Sequence, residues 1–140
     1  MKNRSAPNDQ HNEWRSPCPI ANALDLIGDR WTLLVVRDLL GGGKTFGEIH
    51  DSPEGIPTNI LSDRLKRMEE AGLISSSAYQ ERPRRYRYSL TPKGEGLDDV
   101  IGSLYRWGKR SFPGTRMLEH VQADLKKRRA AANARRKNPS

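Results

Sequence analysis

The fold of this chain is decided by the stretch T-F-G-E-I-H-D-S-P-E-G-I-P-T-N-I-L-S-D-R-L-K-R-M-E-E-A-G, residues 45–72. Thr45 and Glu48 have the spacing of a capping box, in which each side chain accepts a hydrogen bond from the backbone N–H of the other residue. We therefore expect a short helix to begin after Thr45. Pro57 keeps the residue before it extended, and a second helix is predicted over residues 58–71, where Gly72 ends it.

The second predicted helix is amphipathic. Leu61, Leu65 and Met68 recur at i, i+4 and i+7 and are expected to pack on the core, which turns the polar side chains outward. An α-helix fits the major groove of B-DNA, and side chains near the start of such a helix reach the base edges. The predicted DNA-contacting residues of this helix are Thr58, Asn59, Ser62, Asp63, Lys66 and Arg67.

These polar residues differ in the contacts that we expect them to make. Asn59 has the amide needed for a bidentate pair with adenine, and Asp63 can accept a hydrogen bond from the amino group of cytosine. Ser62 suits either bases or phosphates. Lys66 and Arg67 lie farther along the helix and are expected to contact phosphates. The pattern is that of a recognition helix.

Beyond Gly72 the apolar period changes from that of a helix to that of strands. Residues 73–79 and 86–90 are predicted to form two short strands, joined by the tip Q-E-R-P-R-R at residues 80–85. We expect this wing, residues 80–87, to lie along the DNA backbone or to place an arginine in a narrow minor groove. Its predicted DNA-contacting residues are Arg82, Arg84, Arg85 and Arg87.

Further helices are predicted on both sides of this unit. Pro19 suits the first position of a helix that Gly28 ends, and a second helix from Trp31 is closed by Gly41. One long helix is predicted over residues 91–112. The apolar stripe of that helix consists of Leu97, Val100, Ile101, Leu104 and Trp107.

The order of these elements is that of a winged helix-turn-helix, a mainly α fold with a small β-hairpin wing. We divide the chain into a disordered N-terminal segment (residues 1–15), the winged helix-turn-helix domain (16–112) and a basic C-terminal extension (113–140). The extension is expected to be partly helical, over residues 117–127, and then disordered.

The charge of the chain points to a polyanionic partner but is unevenly distributed. The formal net charge is +8, and residues 113–140 hold eight Lys/Arg against two acidic residues. The rest of the chain is therefore almost balanced, and a nucleic-acid surface there has to come from local clustering. The basic runs at residues 126–129 and 135–137 fit either an arm on DNA phosphates or a disordered solubilising end.

Several classes of protein are disfavoured. The three histidines, His11, His50 and His120, lack metal-ligand spacing, and no phosphate-binding loop or dinucleotide fingerprint occurs. We expect no enzyme, no metal and no cofactor. No apolar run reaches the roughly 20 residues of a membrane span, and the first residues do not resemble a secretory signal. With a single cysteine as well, a cytoplasmic protein at the nucleoid is expected.

Several motifs in register resemble the HxlR-type family of bacterial winged helix-turn-helix transcriptional regulators. The motifs are Cys18-Pro19, Leu26-Ile27-Gly28, Trp31-Thr32-Leu33-Leu34, Phe46-Gly47-Glu48-Ile49, Leu61-Ser62-Asp63-Arg64-Leu65, Glu70-Ala71-Gly72-Leu73-Ile74, Tyr88-Ser89-Leu90-Thr91-Pro92-Lys93-Gly94 and Trp107-Gly108. The resemblance covers about residues 18–112 and implies a regulator that acts at promoters, with repression the expected outcome. It also implies a homodimer formed through the flanking N- and C-terminal helices, and hence an inverted-repeat operator.

Cys18, between Pro17 and Pro19, has two interpretations. At the start of a helix the free N–H groups and the helix dipole favour a reactive thiolate, and Arg15 is near in sequence. The resemblance adds that some HxlR-type proteins sense oxidants or electrophiles with a cysteine at this place. The alternative is a small residue that packs beside the dimer helices.

Two further alternatives stay open. A small aromatic effector is expected to occupy any pocket lined by Trp31, Tyr105 or Trp107, unless these aromatic residues simply form part of the core. A winged helix with a basic hairpin also fits an RNA-binding or a protein-interaction module.

Overall fold

The computed structural model describes residues 14–137, which form seven helices and a three-stranded antiparallel sheet. Residues 1–13, most of the segment predicted to be disordered, and residues 138–140 lie outside the described part. Among the described helices, none combines the length and apolar character needed to cross a membrane. In chain order the elements are α1 (Pro19–Ile27), α2 (Thr32–Leu39), β1 (Lys44–Thr45), α3 (Phe46–His50), α4 (Thr58–Glu70), β2 (Ile74–Glu81), β3 (Arg84–Leu90), α5 (Pro92–Glu95), α6 (Asp98–Ser111) and α7 (Glu119–Lys137).

The core lies between α2 and α4. Val36 of α2 and Leu61 of α4 are both fully buried, and the apolar stripe predicted for α4 packs against α2. The core residues are Val35, Val36, Leu39, Leu40, Ile49, Ile56, Leu61, Leu65, Met68, Leu73 and Ile74. Burial of one side of α4 fixes its rotation, so the other side faces solvent along its length.

The capping box at the start of α3 is confirmed. The Glu48 backbone N–H donates to Thr45 Oγ1 at 3.2 Å, and the Thr45 N–H donates to Glu48 Oε1 at 2.9 Å. Two of the four backbone N–H groups that the start of a helix leaves unpaired are thus satisfied. The helix-turn-helix therefore consists of α3, the turn of residues 51–57, and α4, which begins and ends within one residue of its prediction.

The sheet has the strand order β1-β3-β2, and β1 was not predicted. It is only two residues long, with Lys44 opposite Tyr88 and Thr45 opposite Arg87. β2 and β3 are longer than predicted, so the tip of the wing contains only Arg82 and Pro83, joined by a cis peptide bond. The hairpin itself is confirmed, with Ile74 paired to Leu90 at its base.

The prediction of one helix over residues 91–112 is wrong, because the chain turns between α5 and α6. Gly94 and Gly96 lie at the break, and glycine has low helix propensity. The Leu97 N–H donates to the Gly94 carbonyl three residues back, which makes a tighter turn than that of an α-helix. A Cβ at Gly94 would collide with the Leu73 carbonyl, so the glycine lets α5 pack against the base of the wing. The turn sets the direction of α6.

The C-terminal extension is helical to Lys137, ten residues beyond the predicted end of its helix. The predicted disorder after residue 127 is therefore wrong as far as Lys137. α7 is anchored to the domain, since Val121 is buried and Leu125 packs against the core. The side chain of Asp124 lies against Gly41, where there is no room for a Cβ. The sequence boundary at residue 112 therefore does not separate the extension from the domain.

Candidate nucleic-acid interface

The exposed side of α4 carries all the residues of this helix that are predicted to contact DNA. Thr58, Asn59, Ser62, Asp63, Lys66 and Arg67 are all exposed. The N-cap of α4 is Pro57, which offers no side-chain cap, and the first turn contains no acidic residue. The backbone N–H groups of this turn are therefore available to an anion, and the positive end of the helix dipole lies with them.

Asp63 is held by two arginines of its own helix. Its Oδ2 lies 2.5 Å from Arg64 Nη1 and 3.3 Å from Arg67 Nε, and its side chain is about half exposed. A carboxylate accepts about four hydrogen bonds, so an exposed lone pair remains for a cytosine amino group. Arg67 is accordingly tied to Asp63, although 68% of its side chain is exposed and accessible to a phosphate.

Arg64 anchors the recognition helix to the start of α2. Its Nε donates to Asp29 Oδ2 at 2.9 Å, and the same carboxylate accepts from the Trp31 and Thr32 N–H groups and from Thr32 Oγ1. Burial disfavours the charged carboxylate, but these hydrogen bonds outweigh burial and lower the pKa of Asp29 to about 2. The members of this pair are 35 residues apart, and no local pattern predicts that they meet.

A buried polar network holds the turn before α4. Asp38 of α2, only 3% exposed, accepts from Arg37 Nε at 3.0 Å and from Ser52 Oγ at 2.6 Å. Arg37 also reaches Ser52 Oγ and binds Glu54 through two hydrogen bonds of 2.9 Å. Burial opposes the charge of Arg37, but Glu54 and Asp38 raise its pKa. The turn of residues 51–57 is thereby fixed to α2, which sets where α4 begins.

α7 joins the same network through His120. The Nε2 of His120 lies 3.0 Å from Asp38 Oδ1, so a residue of the C-terminal extension contacts the carboxylate that binds Ser52. This contact was not predicted, because nothing in the neighbourhood of His120 along the chain indicates a partner 82 positions away.

The wing presents its arginines in two different states. Arg84 is paired with Glu81 across the tip at 2.7 Å. Within the described residues, the guanidinium groups of Arg82 and Arg85 have no hydrogen-bonding or ionic partner, and both side chains are exposed. The tip is thus the part of the wing with uncompensated positive charge.

Arg87 lies apart from the tip. Side chains alternate along a strand, so Arg87 is on the face of β3 opposite to Tyr88. It donates to the Gly43 carbonyl at 3.2 Å, lies 3.7 Å from Glu48 Oε1 and stacks over Tyr79. These contacts fix β3 to the start of α3, and Arg87 remains 45% exposed.

A groove of about 370 Å³ separates α4 from the wing. Ser62 and Lys66 line it, and Glu69 occupies the end near the C-terminus of α4, where Ser76 Oγ donates to it at 2.9 Å. Burial, followed by the charge of Glu69, raises the pKa of Tyr88 in the same groove. The acidic end repels phosphates, so the electrostatics favour DNA at the N-terminal half of α4.

Cys18 is the N-cap of α1 and is exposed in the described chain. Its side chain makes no capping hydrogen bond, and its backbone N–H donates to Ser16 Oγ at 3.0 Å. The Arg15 guanidinium is directed to Asp25 and not to the Cys18 thiol, because it forms a bidentate pair with the Asp25 carboxylate at 2.7 and 2.9 Å. Cys18 and Pro19 thus occupy the positions predicted for them.

α1 and α6 leave apolar side chains uncovered. The predicted stripe of α6 divides, since Leu97 and Ile101 pack on the core whereas Leu104 and Trp107 are exposed. We call this apolar surface the flanking surface. It consists of Ile20, Leu24, Leu104, Trp107 and Phe112, whose exposed fractions run from 49% to 69%.

An apolar crevice of about 350 Å³ lies between α2, α6 and the start of α7. Tyr105 lines it, whereas neither Trp31 nor Trp107 does, so only one of the three aromatic residues considered for an effector pocket lies at this crevice. Trp31 packs against the core, and Trp107 belongs to the flanking surface.

Comparison with known proteins agrees with this architecture. An uncharacterized HTH-type transcriptional regulator of Synechocystis is 35% identical over 91 residues, which cover 65% of this chain and 67% of that protein. The HTH-type transcriptional regulator YodB of Bacillus subtilis is 33% identical over 104 residues, covering 73% of this chain and 93% of YodB.

Solved structures give the same picture. The reduced form of YodB superposes with a TM-score of 0.59 and 29% identity, over 72% of this chain and 100% of that one. The redox regulator HypR in its oxidized form superposes with a TM-score of 0.62 and 27% identity, over the same shares of the two chains. The HxlR-like helix-turn-helix family model matches residues 26–115. The chain therefore belongs to the HxlR-like helix-turn-helix family of DNA-binding transcriptional regulators.

Proposed function

We propose that the protein is a sequence-specific regulator that inserts α4 into the major groove of its operator. The observation that carries this proposal is the exposed N-terminal half of α4, with donors and acceptors on one side and free backbone N–H groups at its start. Asn59 and Asp63 read bases, and Lys66 and Arg67 bind phosphates. Thr58 and Ser62 complete this surface.

The wing supplies the second DNA contact. The side chains of Arg82 at the tip and of Arg85 at the start of β3 have no partner within residues 14–137, and they bind the backbone or enter a narrow minor groove. Arg84 and Arg87 contribute through the exposed parts of side chains that also have protein partners. This difference ranks Arg82 and Arg85 above the other two arginines in their contribution to affinity.

The regulator acts as a homodimer through the flanking surface. Large apolar side chains exposed on α1 and α6 support an association site, because leaving them in water costs free energy. A two-fold dimer presents two copies of α4, so the operator is an inverted repeat with half-sites about 34–36 Å apart. It represses in the cytoplasm, where it occludes promoters on the nucleoid, and it catalyses no reaction.

Cys18 makes the regulator responsive to oxidants and electrophiles. The thiol is exposed at a helix start, and two structural neighbours are the transcriptional regulator YodB and the redox regulator HypR. In the oxidation step two Cys18 thiols of the dimer transfer two electrons and two protons to a quinone, which leaves an intersubunit disulfide and a hydroquinone. Alternatively, one thiolate adds to the quinone ring.

The proposal is tested by selecting operators from randomised 40-bp duplexes and measuring binding by fluorescence anisotropy. Asn59→Ala should relax the selected sequence at one position in each half-site, at a cost of about 1–3 kcal/mol. Arg82→Gln with Arg85→Gln should weaken binding to all sequences. The matched control is Arg30→Gln with Arg110→Gln, which removes the same charge from exposed positions outside α4 and the wing. Preference for structured RNA over every selected duplex contradicts the proposal.

A further inference from the structure

The apolar crevice between α2, α6 and the start of α7 is large enough to hold a small molecule. Its volume of about 350 Å³ lies within the range of roughly 300–1,000 Å³ that small-molecule sites occupy. Apolar side chains that are only half-buried line it from each side, namely Leu34 of α2, Ile101 of α6 and Met117 before α7. Tyr105 adds an aromatic ring on which a planar ligand can stack. The crevice therefore suits a flat apolar body.

The C-terminal extension builds one wall of the crevice. The residues of this wall lie beyond residue 115, where the match to the family model ends, and they are Arg116, Met117, Leu118, Val121 and Leu125. The connection from α6 holds the wall in place, because Lys109 Nζ donates to the Thr115 carbonyl at 2.6 Å and Thr115 Oγ1 donates to the Phe112 carbonyl at 2.7 Å. The site thus depends on a segment outside the part of the chain that the family model describes.

One charged side chain at the crevice lacks a counter-charge. Arg37 and Glu54 also line the crevice, but they satisfy each other through two hydrogen bonds of 2.9 Å. Arg116 is exposed, and its guanidinium has no hydrogen-bonding or ionic partner within residues 14–137. A cation beside apolar walls favours a ligand that is apolar over most of its surface and carries one negative charge.

A second copy of the chain fits the crevice less well than such a ligand does. Leu104 belongs both to the crevice and to the flanking surface, so the two adjoin. All five side chains of the flanking surface are uncharged, however, and a partner seated through that surface offers no carboxylate from it to Arg116. Charge complementarity therefore favours a small anion as the occupant.

We propose that the crevice binds a small aromatic carboxylate. The ring packs against Leu34, Ile101 and Met117, and the carboxylate accepts hydrogen bonds from the Arg116 guanidinium, whose planar fork matches it. Neither Cys18 nor any residue predicted to contact DNA lines this site, so the inference goes beyond the proposed function. The wall also contains the ion pair that fixes the turn before α4, which places the ligand beside contacts that position the recognition helix.

The methyl group of Met117 provides a reporter at the crevice. The full chain is labelled with ¹³C in its methionine methyl groups and titrated with 2-naphthoate, whose ring current shifts the resonances of nearby nuclei. Met68 is the internal control, because its side chain is buried in the core and does not line the crevice. We expect a saturable shift of the Met117 resonance and an unchanged Met68 resonance.

The role of Arg116 is tested by comparing 2-naphthoate with 2-naphthalenemethanol, which has the same ring system and no charge. Arg116→Gln should lower the ratio of the naphthoate affinity to the alcohol affinity by about 3- to 5-fold, as expected for an ion pair at the protein surface. The matched control is Arg110→Gln, which removes the same charge from an exposed side chain that does not line the crevice. Its ratio should equal that of the wild type, and circular dichroism verifies that both variants are folded.

The inference requires a saturable shift of the Met117 resonance and a lowered affinity ratio in Arg116→Gln alone. A Met117 resonance that does not respond to 2-naphthoate overturns it, as do equal shifts of Met117 and Met68 or equal ratios in the two variants. A Met117 resonance that moves with protein concentration and not with 2-naphthoate assigns the crevice to a second copy, and likewise overturns the inference. These measurements use no DNA, so their failure is distinct from failure of the proposed function.

Discussion

The substitution Asp38→Asn tests whether the buried network positions the recognition helix. The carboxylate of Asp38, 4% exposed, accepts from Arg37 Nε at 3.0 Å and Ser52 Oγ at 2.6 Å, and His120 Nε2 lies 3.0 Å away. Asparagine has nearly the same shape but lacks the charge. With its amide oxygen on Ser52 Oγ, its NH₂ group faces the donor Arg37 Nε, so that contact becomes unfavourable.

The expected loss of stability depends on which hydrogen bonds the Asp38→Asn variant keeps. Removing one partner of a buried ion pair costs about 3–5 kcal/mol when the other charge is left unpaired. Arg37 is not left unpaired, since its two bonds to Glu54 remain, and the amide oxygen of the variant still accepts from Ser52. We therefore expect a loss of about 2–3 kcal/mol, a large share of the roughly 5–15 kcal/mol that stabilises a typical domain.

The assay is urea unfolding at pH 7 followed by circular dichroism, in which the midpoint should fall by roughly 1–2 M. The matched control is Asp99→Asn, an exposed aspartate of α6 for which the described residues provide no partner. Its stability should change by less than about 0.5 kcal/mol. If the Asp38 variant unfolds at the same urea concentration as the Asp99 variant, the three contacts do not depend on the carboxylate and our reasoning about the network is wrong.

Three other predictions concern acid stability, assembly and redox response. The pKa of Asp29 is lowered from 3.8 to about 2, so its contribution to stability is complete above pH 4 and is lost as the pH falls towards 2. The free energy of unfolding, measured between pH 4 and pH 2, should therefore fall less in Asp29→Asn than in the wild type. Leu104→Glu with Trp107→Glu should convert the proposed dimer to a monomer in sedimentation, with little change in thermal unfolding, because both side chains are exposed in the single chain; a dimer that persists in the variant contradicts assembly through the flanking surface. Cys18→Ser should bind the operator normally but lose the response to quinone, and equal responses of the two proteins would exclude Cys18 as the sensor.

Sequence reasoning succeeded where the signal is local. The capping box of Thr45 and Glu48 and the stripe of Leu61, Leu65 and Met68 depend on neighbours within ten residues, and each is found as predicted. The two sides of α4 follow from that stripe. The exposure of the DNA-contacting residues predicted on α4 therefore follows from helical periodicity alone.

Contacts distant in sequence were not predictable in this way. The Arg64–Asp29 and His120–Asp38 pairs depend on how separate helices meet, and a single polar residue in a helix carries no mark of its distant partner. β1 was missed because two residues are too few to show a strand period. The turn between α5 and α6 depends on the close approach of Gly94 to the Leu73 carbonyl, which is a property of the packed structure.

The arginines show why composition alone does not locate a DNA surface. The side chains of Arg37 and Arg64 are largely buried and paired with carboxylates, and these ion pairs hold the turn of residues 51–57 and α4 in place. Arg82 and Arg85 are exposed and without partners among residues 14–137, so a phosphate gains their full charge. Neutralising Arg37 or Arg64 should lower the stability of the protein, and its affinity for DNA only because less of it is folded. Neutralising Arg82 or Arg85 should lower the affinity for DNA and leave the stability unchanged. The fold thus divides chemically identical side chains into those that position the recognition helix and those available to DNA.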